Sequence, residues 1–136
     1  MNSGELFQDS YERASGQTVD GQDFFTHFYT VFLAADKAVA EKFINTDMAH
    51  QKSMLKKSFY SLYSFHISTN TDYLLEKIAR KHGKGNMNIS PVLYDIWLES
   101  LIQTVTVYDP QFNREIELAW RLVLAPGIAF MKFHSA

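Results

Sequence analysis

No cysteine occurs in the 136 residues. Disulfides, thiol nucleophiles and cysteine-ligated zinc are therefore excluded. Turn-formers are scarce, at six glycines and three prolines, which argues for long periodic elements. Neither sign of charge dominates: 13 basic and 15 acidic residues leave a formal net charge of −2. That balance removes the electrostatic case for a nucleic-acid or polyanion binder. The stretch Met1–Ser10 is polar and holds no apolar run of the kind found in a signal peptide or membrane anchor. A cytoplasmic protein with no membrane partner is the expectation. Common enzyme signatures are missing as well. There is no P-loop, no dinucleotide-type glycine turn, no His-Glu-x-x-His zinc helix and no Gly-x-Ser-x-Gly elbow. The carboxylates fall mostly on polar faces, so a paired-carboxylate hydrolase site has no support.

What the chain does have is apolar and aromatic bulk. Hydrophobic residues make up 46% and charged residues 21%, enough to bury a core. The length is that of one domain, 1–136. Aromatics reach 15%, with 11 Phe, 7 Tyr and 2 Trp. Such a composition suits packing around a large flat ligand, and it equally suits a well-filled core.

The apolar spacing predicts an all-α chain of six or seven helices with no convincing strand. A short amphipathic helix covers Ser3–Ala14, and Ser15–Gly21 is a loop. Asp20 or Asp23 caps a helix running to Ala35, with Phe25, Phe28, Tyr29, Phe32 and Leu33 on its apolar face. Asp36–Phe43 is a further turn of helix with Val39 and Phe43 inward. Met48–Ile67 follows, with Gln51, Leu55, Phe59 and Leu62 in one stripe and Lys52, Lys56 and Lys57 on the other side. Ser68–Thr71 is a loop, Asp72–His82 a helix, and Gly83 and Gly85 stop it. Ser90-Pro91 opens the next helix, striped by Tyr94, Trp97, Leu98, Leu101 and Val105. Asp109-Pro110 separates it from the last, about Gln111–His134, which Pro126-Gly127 is expected to kink or loosen.

Three polar side chains stand on inward faces. His82 lies one helical turn after Ile78 and so shares its apolar face. Tyr29 is a polar-tipped ring within a phenylalanine stripe. Gln51 leads the stripe that continues to Leu55. Buried, each needs a hydrogen-bond partner. Three such groups amid many aromatics fit one enclosed ligand held by a few placed polar atoms. Taken singly, each is also compatible with an ordinary satisfied core or surface residue.

The order Phe28-Tyr29, Phe43, Gln51, Leu55, Ile78-Ala79-Arg80-Lys81-His82, Pro91, Tyr94, Ala119-Trp120 resembles the bacterial globins. The similarity is to the single-domain bacterial haemoglobins and the haem domain of flavohaemoglobins, and it spans roughly Phe24–Phe133. It implies the globin fold, a three-over-three helical sandwich, with haem b (iron protoporphyrin IX) as cofactor. By this resemblance His82 is the proximal histidine that ligates iron, its second ring nitrogen held by a carbonyl or another polar group. Phe43 packs on the porphyrin face, Tyr29 is the distal tyrosine that donates to the bound gas, and Gln51 is its distal companion. Leu55 and Ile78 line the pocket, Tyr94 lies near His82, and Lys81 can reach a propionate. The C-terminal stretch Ala129–Ala136 departs from flavohaemoglobins in carrying no acid. That speaks against a strongly polarised proximal histidine.

One local alternative stays open: a one-residue shift puts His50 in the distal position. The Gln51 stripe continues through Leu55, Phe59 and Leu62, whereas His50–Met54 runs into Lys57 and Ser61. His27 and His66 read as surface or helix-flank residues. The implied function is reversible binding of O2, NO or CO, for oxygen transport, storage or sensing. Two rivals stand beside it. One is nitric oxide dioxygenase chemistry, which needs a separate reductase because 136 residues leave no room for a flavin or nicotinamide domain. The other is a haem-free regulatory module of the same fold, against which His82, Phe43 and Tyr29 argue together.

Overall fold

The structure is a computed structural model, and it describes residues 1–68, 73–82 and 89–135. Seven helices fill these residues: α1 (Ser3–Ser15), α2 (Phe24–Ala35), α3 (Lys37–Lys42), α4 (Met48–Ser68), α5 (Tyr73–His82), α6 (Pro91–Tyr108) and α7 (Arg114–Ser135). The expected loop at 69–71, the helix start at Asp72 and the glycine stop at 83 and 85 lie outside the described residues.

Helix starts follow local chemistry. Asn2 accepts from the backbone N–H of Glu5 at 2.9 Å, and Asp23 from that of Thr26 at 2.7 Å. Asp36 and Asp47 do the same for α3 and α4. Each aspartate satisfies an otherwise orphaned amide and places negative charge at the positive end of a helix. Pro91 begins α6, where its missing N–H is no loss.

The last helix begins three residues later than its apolar periodicity suggests, at Arg114. Asp109 takes the N–H of Gln111 at 2.9 Å and Asn113 that of Ile116 at 2.9 Å, so the segment between them is a capped corner. The loop before α2 also differs from expectation. Thr18–Val19 and Gln22–Asp23 pair as a minimal antiparallel hairpin. Its two turn residues, Asp20 and Gly21, have φ of 51° and 78°. That left-handed pair makes a tight primed turn, which an Asp-Gly sequence favours. Tyr108 ties the hairpin to α6 by donating to the Gln22 carbonyl at 2.7 Å.

Helix α7 packs against α1, α4, α5 and α6, while α2 crosses α6. Trp120, Tyr108, Phe24, Phe28 and Phe59 are fully enclosed at the centre. Pro126 does not end α7, which continues to Ser135. Its neighbour Gly127 has a packing role: a Cβ there would collide with Leu62 Cδ2 on α4. Glycine lets the two helices touch backbone to side chain.

The first helix is anchored through a buried polar cluster. Asp109, fully enclosed, accepts from Ser10 Oγ at 2.6 Å and from Arg13 at 2.7 and 2.9 Å. Trp120 donates to Ser10 Oγ at 2.9 Å. Burial pushes the Asp109 carboxyl up, but Arg13, Ser10 and the Gln111 amide together bring it below its ordinary range.

Candidate functional site

Helix α5 ends at His82, and the backbone there is clasped: the Ile89 amide donates to the His82 carbonyl at 2.8 Å. Across from α5, Tyr94 sits in the first turn of α6. Its hydroxyl oxygen lies 3.1 Å from His82 Nδ1, and the two rings are 6.0 Å apart. Among the described residues the other ring nitrogen, Nε2, makes no hydrogen bond. Every buried side-chain nitrogen or oxygen among the described residues has a partner, so Nε2 is left accessible. Burial, and secondarily the charge of Lys81, pull the His82 pKa down to about 4. The ring is therefore neutral at physiological pH, with one nitrogen held and the other open. Ile78 is half-buried one turn earlier, and Lys81 is exposed.

A second cluster stands on α2, α3 and α4. Tyr29 is 5% exposed, and its ring meets Phe43 at 5.9 Å in an edge-on contact. Phe32 closes the group, 6.1 Å from Phe43. The Tyr29 hydroxyl points toward α4, where it reaches the backbone carbonyl of Gln51 at 3.5 Å. That distance is at the limit of a hydrogen bond, so the proton is loosely held. Burial raises the Tyr29 pKa to about 12, against the smaller opposing effect of the Gln51 contact. The phenol therefore stays protonated in the physiological range and keeps a proton to donate.

Gln51 is half-buried and His50 exposed, while Leu55, Phe59 and Leu62 are buried in line after Gln51. The Tyr29 hydroxyl meets the Gln51 main-chain carbonyl at 3.5 Å, and the Gln51 side chain also acts on it. His27 and His66 are both half-buried, against Tyr108 at 5.1 Å and Tyr63 at 6.4 Å.

The two clusters connect through the packing of α2 on α6. Phe28 lies beside Tyr29 at 5.0 Å and meets Trp97, one turn from Tyr94, at 6.0 Å. Phe32 and Trp97 were visible in the sequence only as stripe residues; nothing in their spacing separates a pocket wall from ordinary core. A surface cleft of about 230 Å³ lies elsewhere, between α2 and α4. Its charged groups are already engaged: Asp23 caps α2, Lys52 bonds Thr26 at 3.2 Å, and Lys56 sits over the Phe25 ring.

The all-α architecture of seven helices among the described residues is that of a haemoglobin-like globin. The architecture matches the crystal structure of a Pseudomonas aeruginosa PAO1 protein described as structurally highly homologous to a human hemoglobin. The TM-score is 0.91, with 32% sequence identity over 99% of each chain. The chain belongs to the bacterial single-domain globins. No protein-family profile matches it, and no curated protein does. No helix among the described residues is long and apolar enough to cross a membrane.

Proposed function

We propose that this globin holds haem b through His82 and reversibly binds dioxygen, with NO and CO as competing ligands. The observation that carries the reading is the His82–Tyr94 pair. A neutral imidazole with one nitrogen oriented by a hydrogen bond and the other open is the donor a haem iron requires. When bound, haem supplies an iron that can take a diatomic gas. The residues present fit such a group. With Nδ1–H donating to Tyr94 Oη, the lone pair resides on Nε2. Leu55 and Ile78 offer apolar wall, Phe43 a ring face, and exposed Lys81 a cation for a propionate. Tyr29 brings a protonated hydroxyl whose contact with the Gln51 carbonyl is long, so it is available to a ligand that develops negative charge. Gln51 is the second polar group on that side. Turnover of nitric oxide would in addition need a separate reductase.

The test is a titration of the purified chain with haemin, followed by absorbance. A stoichiometric, intense haem band that shifts on reduction and again with CO is the expected result. His82→Ala is expected to lose the bound haem on gel filtration. A chain that takes up no haemin overturns the proposal, and full haem retention by His82→Ala moves the ligand to another residue.

A further inference from the structure

Helix α6 turns two aromatic residues inward one turn apart, Tyr94 and Trp97. Tyr94 stands beside His82. Trp97 reaches the other cluster. Its ring lies 6.0 Å from that of Phe28 on α2 and 6.2 Å from that of Phe59 on α4. Phe28 adjoins Tyr29, and Phe59 follows Leu55 by one helical turn in the same buried stripe. Both helices that carry the gas-side groups therefore rest against this one indole.

The exposure of Trp97 does not match its place. Its four neighbours on that face of α6, Leu93, Tyr94, Ser100 and Leu101, are all buried, and so are Phe28 and Phe59. Trp97 itself is only half-buried. Among the described residues its indole nitrogen has no hydrogen-bond partner, and no enclosed polar atom lacks one, so that edge of the ring is accessible. A side chain whose neighbours along and across the helix are buried, yet which is not itself enclosed, opens inward. Its free edge faces the pocket on the side of Tyr29 and Leu55.

We propose that Trp97 is a specificity-determining wall of the gas site. Its indole fills the space behind Tyr29, so that the pocket holds one diatomic molecule and has no room for a second. This rests on the proposed haem and gas binding, and it separates two outcomes at that site. Conversion of nitric oxide needs both gases in the pocket at once: one NO, one O2 and one electron from the iron become one nitrate ion. Single occupancy keeps NO from meeting dioxygen already held, and reversible binding is favoured. Bulk alone does this, without a charge or a hydrogen bond. The rings of Phe28 and Phe59 fix the indole from two sides, and close-packed interiors yield little to an intruding atom.

The test uses the haem-loaded full chain. Trp97→Ala removes the indole and leaves an apolar space; a void on the order of 150 Å³ stays dry and takes up xenon. Xenon NMR of the CO-loaded chains is expected to show stronger binding in the variant than in the wild type. When dioxygen-loaded chains are mixed with NO in a stopped flow, Trp97→Ala is expected to oxidise roughly tenfold faster, the lower end of what pocket bulk contributes to discrimination. Trp97→Phe restores most of the bulk and is expected to return both readouts toward wild type. Equal NO rates in wild type and Trp97→Ala overturn the proposal. So does xenon binding no stronger in Trp97→Ala, or a Trp97→Phe chain as fast as Trp97→Ala. Should Trp97→Ala fail to fold or to keep haem, Trp97→Leu takes its place in the same comparisons. A wild-type chain that takes up no haemin overturns the proposed function together with this inference, whereas haem-loaded variants with unchanged rates overturn this inference alone.

Discussion

The hydroxyl of Tyr94 lies 3.1 Å from Nδ1 of His82, so a residue of α6 sets the orientation of the ring that ends α5. The pairing selects a tautomer: when Nδ1 carries the proton and donates, Nε2 presents a lone pair. Tyr94→Phe keeps the ring and removes only this partner. Haem is expected to leave the variant roughly 10- to 100-fold faster, the usual scale for losing a partner behind a ligand. Transfer of haem to an excess of a scavenging apo-globin measures it. An unchanged rate removes Tyr94 from any orienting role.

The depressed pKa of His82 makes the haem-free chain sensitive to acid. The ordinary value is 6.5 and the folded value about 4, so the unfolded chain takes up the proton first as pH falls. The stabilisation is complete above 6.5 and is lost progressively between 6.5 and 4. The full loss from this one group is on the order of 3 kcal/mol. Urea melts of the apo chain across this window are expected to show the fall, and His82→Ala to flatten this contribution. A variant whose pH slope equals that of the wild type contradicts the assignment.

Tyr29 is expected to discriminate between gases. Bound dioxygen gathers partial negative charge and bound CO far less, so a phenol donor favours the first. Charge-assisted hydrogen bonds contribute about 1.5–3 kcal/mol. Tyr29→Phe, which preserves the packing on Phe43, is therefore expected to speed dioxygen dissociation by about one to two orders of magnitude. CO dissociation is expected to change little. Gln51→Leu acts in the same direction, more weakly. Stopped-flow rates for both gases decide it; small and equal changes place the hydroxyl away from the ligand.

Gly127→Ala tests the contact between α4 and α7. Alanine is the better helix former by about 1 kcal/mol, yet here its methyl meets Leu62. Overpacking is expected to prevail, with a net destabilisation of about 1–3 kcal/mol. Thermal melts compare the two chains, and Leu62→Ala in the same background is expected to recover part of the loss. A more stable Gly127→Ala chain refutes the close approach.

Much of this molecule was legible from residue order. Asp23 announces a helix start because capping is a local exchange between one carboxylate and an amide three residues on. The inward turn from Ile78 to His82 follows from helical periodicity. Longer-range features were not legible. Asp109 stands before a proline in a polar corner and looks like a surface turn residue. Its burial depends on Ser10 and Arg13, nearly a hundred positions earlier. Gly127, beside Pro126, reads as a weakness in a helix because the sequence does not say that Leu62 faces it.

The tie between α1 and Asp109 has a consequence for the order in which the chain is built. Ser10 leaves the ribosome 99 residues before Asp109 and 110 before Trp120. At about 5–20 residues per second, its first partner follows roughly 5–20 seconds later. For that interval the nascent α1 has Phe7, Ser10 and Arg13 waiting for a corner that does not yet exist. Its docking is thereby placed among the last acts of folding.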